Sequence, residues 1–185
     1  MILPIYVYGS SVLREVAQDI DAATYPNLKG LIDNMFETMF EADGVGLAAP
    51  QVGLPIRLFC IDLTSVAKEI PKGMPLKQVF INAEIYERSG AEVKMGEGCL
   101  SLPGLNEDVV RPSKIRIRYL DEKLQPRDEE FDGYPARVIQ HEYDHIDGIV
   151  FTDRVAPIRK NLIKSKLQAF TKGKYRASYR CKLGK

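Results

Sequence analysis

The sequence predicts an α+β fold with a mostly antiparallel sheet. Two observations carry this. Strand-like segments run together through the middle of the chain. The helix that carries both histidines of the protein follows those strands instead of alternating with them, which argues against repeated βαβ units. A length of 185 residues, with 45% hydrophobic and 28% charged content, predicts a single domain over residues 1–170, with a basic tail over 171–185.

Taken in order, residues 11–18 predict a short helix. Leu28, Leu31, Ile32, Met35, Phe36, Met39 and Phe40 recur at the spacing of a core-facing helix, which Asp43-Gly44 stops. The apolar stretch 56–63 predicts a buried strand, and further strands are expected at 79–85, 92–95, 109–119 and 127–131. Ile115, Ile117 and Tyr119 alternate with Lys114, Arg116 and Arg118, the pattern of a strand with one wet face. Pro135 suits the first turn of the next helix and Gly148 its end. Pro157 opens a last helix that docks through Ile163, Leu167 and Phe170.

The only two histidines stand in His141-Glu142-Tyr143-Asp144-His145. Four residues apart on a helix, both imidazoles face one side and can reach one metal ion. Glu142 is placed to act as a general base on water activated by that metal. A catalytic site usually takes a third protein ligand. No Glu follows Glu142, and Phe151 stands where a third histidine would fall in the longer H-E-x-x-H-x-x-G-x-x-H pattern. Asp147 and Asp153 remain possible. The better candidate is Cys99, in Gly96-Glu97-Gly98-Cys99-Leu100-Ser101-Leu102-Pro103-Gly104, where glycine lets backbone bend close to a ligand. The plain alternative, a small buried hydrophobe, fits Cys60 within Leu58-Phe59-Cys60-Ile61. Cys181 is expected to be exposed.

Residues 44–53 read Gly-Val-Gly-Leu-Ala-Ala-Pro-Gln-Val-Gly. The run matches G-x-G-x-x-A, but it follows a helix and precedes a strand, the wrong context for dinucleotide binding. It is either a tight connection or a wall of small residues along which a substrate backbone lies, with Gln51 as an amide donor.

The three motifs at 44–51, 97–101 and 140–148, in this order and spacing, resemble peptide deformylase, and the resemblance runs from residue 1 to Arg154. It implies antiparallel sheets wrapped around a central metal-binding helix, with a C-terminal helix. It implies a metal-dependent hydrolase that removes the N-formyl group from formyl-methionyl nascent peptides and releases formate. It assigns Cys99, His141 and His145 to one divalent ion, Fe²⁺ foremost, with Zn²⁺, Ni²⁺ or Co²⁺ also compatible with the ligands. It makes Glu142 the base and gives Gln51 and the Leu100 N–H to the oxyanion. Val45, Gly46, Glu97, Tyr134, Arg137 and Val138 form the substrate site. Arg137 departs from the aliphatic residue of some relatives; its stem is expected to cover the pocket while its head reaches water.

The net charge of +1 hides an asymmetry. Of 26 basic residues, 11 lie from Arg154 onward, where there is no acidic residue, so the first 153 residues carry 15 against 25 acidic. Such a segment is either a solvated face or a contact for ribosomal RNA. Three widely spaced cysteines, no basic-then-apolar start and no long apolar run predict a cytoplasmic protein without disulfides or membrane contact. Two other readings compete. A metallopeptidase would cut internal bonds, and a metal-binding or ribosome-associated module would need a closed site with a fourth ligand.

Overall fold

Residues 1–184 are described by the structure, a computed structural model. Its strands are β1 (Ile5–Tyr6), β2 (Gly46–Ala48), β3 (Leu58–Asp62), β4 (Lys77–Cys99), β5 (Leu102–Leu120), β6 (Pro126–Asp132) and β7 (Cys181–Lys182). Its helices are α1 (Leu28–Glu41), α2 (Gly133–Ile146) and α3 (Pro157–Thr171). Strands β2 to β6 form one antiparallel sheet in sequence order, while β1 and β7 pair in parallel. This is the α+β architecture expected.

The apolar run of β3 has a direct cause: both of its faces are covered. Leu58 and Cys60 pack with Ile32, Met35 and Met39 of α1. Phe59 and Ile61 pack with Ala136, Ile139, Tyr143 and Ile146 of α2. The Phe59 ring stacks on Phe80 at 4.7 Å, adding to the area the two rings remove from water. Ile115, Ile117 and Tyr119 point inward to the same cluster, and Arg116 and Arg118 point out.

Helix α2 is thus enclosed by the sheet. The Asp132 carboxylate accepts from the Gly133 N–H at 2.7 Å, satisfying one of the donors left free at a helix start. At its other end Gly148 has φ +73°, and a Cβ there would stand 2.7 Å from the Arg14 carbonyl oxygen. Only glycine combines that conformation with so close an approach.

Four features differ from expectation. The segments 79–85 and 92–95 belong to one strand, β4, whose register shifts lie between Ile81 and Glu84, Ile85 and Glu87, Ser89 and Glu92, and Gly98 and Cys99. Phe40 is 82% exposed: at ~100° per residue it falls about 100° round the helix from Met39, off the buried stripe. The expected helix at 11–18 is a single 3-10 turn, Ser11–Arg14.

The fourth difference is the C-terminal segment. Beyond α3 it turns back across the molecule. Ile5 N–H donates to the Arg180 carbonyl and Val7 N–H to the Lys182 carbonyl, both at 2.9 Å. Gly184 N–H donates to Ser10 Oγ at 2.9 Å. A buried N-terminal strand needs partners for its backbone, and these residues supply them. Cys181 is therefore half-buried in β7, not exposed.

Candidate metal centre

Helix α2 carries His141, Glu142 and His145 on the face toward β2 and the end of β4. Cys99, the last residue of β4, meets them there. The ligand atoms of Cys99, His141 and His145 all lie within 4.8 Å of one another, and Cys99 Sγ is 3.3 Å from His145 Nε2. The other candidate ligands are engaged elsewhere. Asp147 pairs with Arg57 at 2.9 Å and Asp153 with Arg14 at 2.5 Å. Cys60 is buried between β3 and α1.

One thiol and two imidazoles converging in this way suit a divalent transition metal. One orphaned atom agrees: Glu142 Oε2 is buried without a hydrogen-bond partner among the described residues. A carboxylate that served packing alone would have both oxygens satisfied.

A network of buried charges stands behind these residues. Glu97 Oε1 lies 2.8 Å from His141 Nδ1, which leaves Nε2 of that ring for the site. Arg111 grips Glu97 through two bonds of 2.7 and 2.9 Å and reaches Asp144 at 2.8 Å. Arg154 holds Asp144 through two bonds of 2.6 Å. Burial pushes the Glu97 carboxyl up, but hydrogen bonds from His141 and Arg111 outweigh it and hold the group well below the usual carboxylate range.

Arg137 corrects an expectation. Its head does not reach water: Nη1 donates to Glu97 Oε2 at 2.7 Å and to the Val109 carbonyl at 3.0 Å, and Nη2 donates to the Val93 carbonyl. The side chain is 6% exposed. The carboxylate of Glu97 draws it inward, because a buried anion holds a bidentate-capable guanidinium more strongly than solvent does.

Glu142 lies against β2. A Cβ added to Gly46 would sit 2.3 Å from Glu142 Oε1 and 2.7 Å from its Cγ. Burial pushes the Glu142 carboxyl up to about 7, against the opposing charge of His141. A group with that value both accepts and releases a proton at neutral pH. Gln51 is fixed by its Oε1, which accepts from the Ala48 N–H at 2.8 Å. Its Nε2 lies 3.5 Å from Cys99 Sγ and 3.2 Å from Ser101 Oγ.

A cavity of about 590 Å³ opens over these atoms. It brings together Val45, Gly46, Gln51, Glu97, Cys99, Leu100, Tyr134, Arg137, Val138, His141 and Glu142; His145 lies beneath its floor, 1% exposed. The sequence reading missed Arg111, Asp144 and Tyr179. Arg111 left a trace, a charge amid the apolar Val109 and Val110 of a strand. Tyr179, which also lines the cavity, left none.

A helix bearing two imidazoles and a carboxylate near neutrality, faced by a thiol at a strand end, defines a metal-dependent hydrolase. The model of the polypeptide deformylase family matches residues 2–161. The peptide deformylase of Christiangramia forsetii is 51% identical over 187 residues, spanning 97% of this chain and 95% of its own. That of Cytophaga hutchinsonii is 52% identical over 182 residues, spanning 98% and 97%. The crystal structure of the Thermus thermophilus peptide deformylase superposes with a TM-score of 0.81 at 43% identity, covering 94% of this chain and 99% of that one. The Arabidopsis thaliana peptide deformylase 1B, solved with an inhibitor, gives 0.82 at 36% identity, covering 92% and 91%. The chain belongs to the polypeptide deformylase family.

Proposed function

We propose that Cys99, His141 and His145 hold one divalent ion and that Glu142 is the proton carrier in removing the N-formyl group from nascent peptides. The observation that carries this reading is the convergence of the three ligand atoms beside a buried carboxyl whose outer oxygen is unpartnered. When bound, the ion supplies Lewis acidity and makes water nucleophilic at neutral pH.

The remaining steps fall to side chains. Glu142 Oε2 takes a proton from the attacking water and delivers it to the departing amine nitrogen. The Gln51 amide and the Leu100 N–H donate to the oxyanion that forms at the formyl carbon; one such donor is typically worth about 2.7–4 kcal/mol of barrier. Glu97 holds His141 by Nδ1, fixing its tautomer. Formate and a free amino terminus result.

Val45, Tyr134 and Val138 offer apolar surface to a methionine side chain, with the arms of Glu97 and Arg137 closing the pocket. The peptide beyond methionine runs as an added strand beside Gly46. Fe²⁺ is the physiological ion in this reading, and ferrous iron with a thiolate ligand makes activity sensitive to air. The protein works in the cytoplasm, where formylated chains emerge from ribosomes. Exposed Lys160, Lys164, Lys172 and Lys174 give it a basic face toward ribosomal RNA. Replacing these four lysines by Gln should weaken co-sedimentation with ribosomes and flatten its salt dependence; unchanged binding would remove the contact.

Formate release from formyl-Met-Ala-Ser tests the central reading, using protein purified without oxygen and loaded with Fe²⁺. Rapid release supports it. No release from metal-replete protein would overturn it.

A further inference from the structure

Cys99 and Leu102 are paired residues of the β4–β5 hairpin, so Leu100 and Ser101 form its two-residue turn. The peptide between them is the middle peptide of that turn. Such a peptide is the least restrained unit of a hairpin, and turn types differ chiefly by rotation about it, which exchanges the directions of its C=O and N–H. Here both ends are held. The Ser101 N–H donates to Cys99 Sγ at 3.4 Å. The Leu100 carbonyl accepts from the Tyr179 hydroxyl at 2.8 Å.

Tyr179 comes from the C-terminal segment, and the residues after it are anchored to the core. Arg180 and Lys182 accept from Ile5 and Val7, both fully buried. The ring of Tyr179 packs in the same apolar group as Leu100, and the Leu100 side chain in turn lies 2.8 Å from where a Gly44 Cβ would be. The segment thus delivers one hydroxyl to the Leu100 carbonyl while its backbone is held by β1.

We propose that Tyr179 is a positioning residue for the metal centre: its hydroxyl fixes the Leu100–Ser101 peptide so that the Ser101 N–H faces the Cys99 sulfur. This rests on the reading of Cys99 as a ligand. An N–H donated to a thiolate stabilises its charge and orients the sulfur toward a bound ion, and losing such an outer partner of a metal ligand typically costs metal affinity or activity. The Leu100 N–H lies on the preceding peptide and is not turned by this rotation, so the effect falls on the Cys99 sulfur. The segment after α3 thereby reaches the chemistry through one peptide plane.

The test uses the full chain loaded with Co²⁺, whose thiolate-to-metal charge-transfer band reports on Cys99. Tyr179→Phe keeps the ring and deletes the hydroxyl. The band should move to lower energy, because the sulfur lone pair is no longer stabilised by the N–H. Co²⁺ affinity and kcat should fall by about 10-fold, the lower end of what outer partners of metal ligands contribute, with KM for a formyl peptide unchanged because the cavity wall is intact. Tyr179→Leu, a second variant without the donor, gives the same readout if Tyr179→Phe does not fold. A Tyr179→Phe protein with the wild-type band and Co²⁺ affinity overturns the proposal, whatever its melting temperature. Absence of the band in wild type overturns the ligand reading itself, a different failure.

Discussion

Glu142 and Gly46 are packed so closely that a Cβ on residue 46 would stand 2.7 Å from both Cγ and Cδ of the glutamate. The whole side chain, not only its tip, occupies the space a methyl group would need. Glu142 is buried against β2. Gly46→Ala should therefore displace the carboxylate while leaving Cys99, His141 and His145 in place. Metal content should stay near one per chain, and kcat should fall by ~10²-fold, the scale expected when a reacting group is misplaced by about 1 Å. Metal analysis beside a formate-release assay checks this; full activity in the alanine variant would show that Glu142 relaxes freely.

Removing the carboxylate itself is the companion test. Glu142→Gln keeps the shape but can neither take nor return a proton. Turnover should drop by roughly 10²–10⁴, the range general acid–base catalysis contributes, with metal affinity close to wild type because Glu142 is not among the converging ligand atoms. Loss of metal together with turnover would mean that the residue serves the ion rather than the proton.

The three cysteines should separate cleanly. Cys99→Ala should lose metal, while Cys60→Ala and Cys181→Ala should keep it. Burial pushes the Cys60 thiol well above its usual value and that of Cys181 up to about 11. The sign follows: a raised thiol value leaves little of the nucleophilic thiolate at pH 8, about one part in a thousand for Cys181. Metal-free protein treated with iodoacetamide at pH 8 should be labelled first at Cys99, and labelling of Cys181 should accelerate as pH rises toward 11. Mass spectrometry of the peptides settles the order, and rapid labelling of Cys181 at pH 8 would contradict its half-buried place in β7.

The parts of the site that lie within one motif were legible in the sequence. His141, Glu142 and His145 stand out by the H-E-x-x-H pattern and by the absence of any other histidine, helical spacing puts the two imidazoles on one face, and the buried strand at β3 follows from its unbroken apolar run. The length of β4 was not legible, because residues 87–94 run largely exposed and carry no alternation. The arginines behind the site were legible only as charges. A lone guanidinium such as that of Arg137 ordinarily reaches water, and nothing local announces that Glu97 holds it from forty residues upstream. Tyr179 depends on the return of the C-terminal segment along β1, a long-range pairing of two-residue strands with no pattern of their own.

That buried network makes a last prediction, about stability. Arg111 is 4% exposed and satisfies two carboxylates at once, Glu97 and Asp144. Arg111→Met keeps most of the volume and removes the charge. Glu97 retains Arg137, and Asp144 retains Arg154, so neither is wholly abandoned, but both lose their most buried partner. Breaking a buried pair by removing one member costs about 3–5 kcal/mol, and the surviving partners should place this variant toward the lower end. Adding Asp144→Asn to Arg111→Met removes one of the stranded charges and should restore part of the loss, a coupling that two unrelated substitutions would not show. Urea unfolding of the metal-free proteins measures it through the midpoint at unchanged slope. If the double variant is as unstable as the sum of the singles, Arg111 and Asp144 are not coupled and the network is only an arrangement of neighbours.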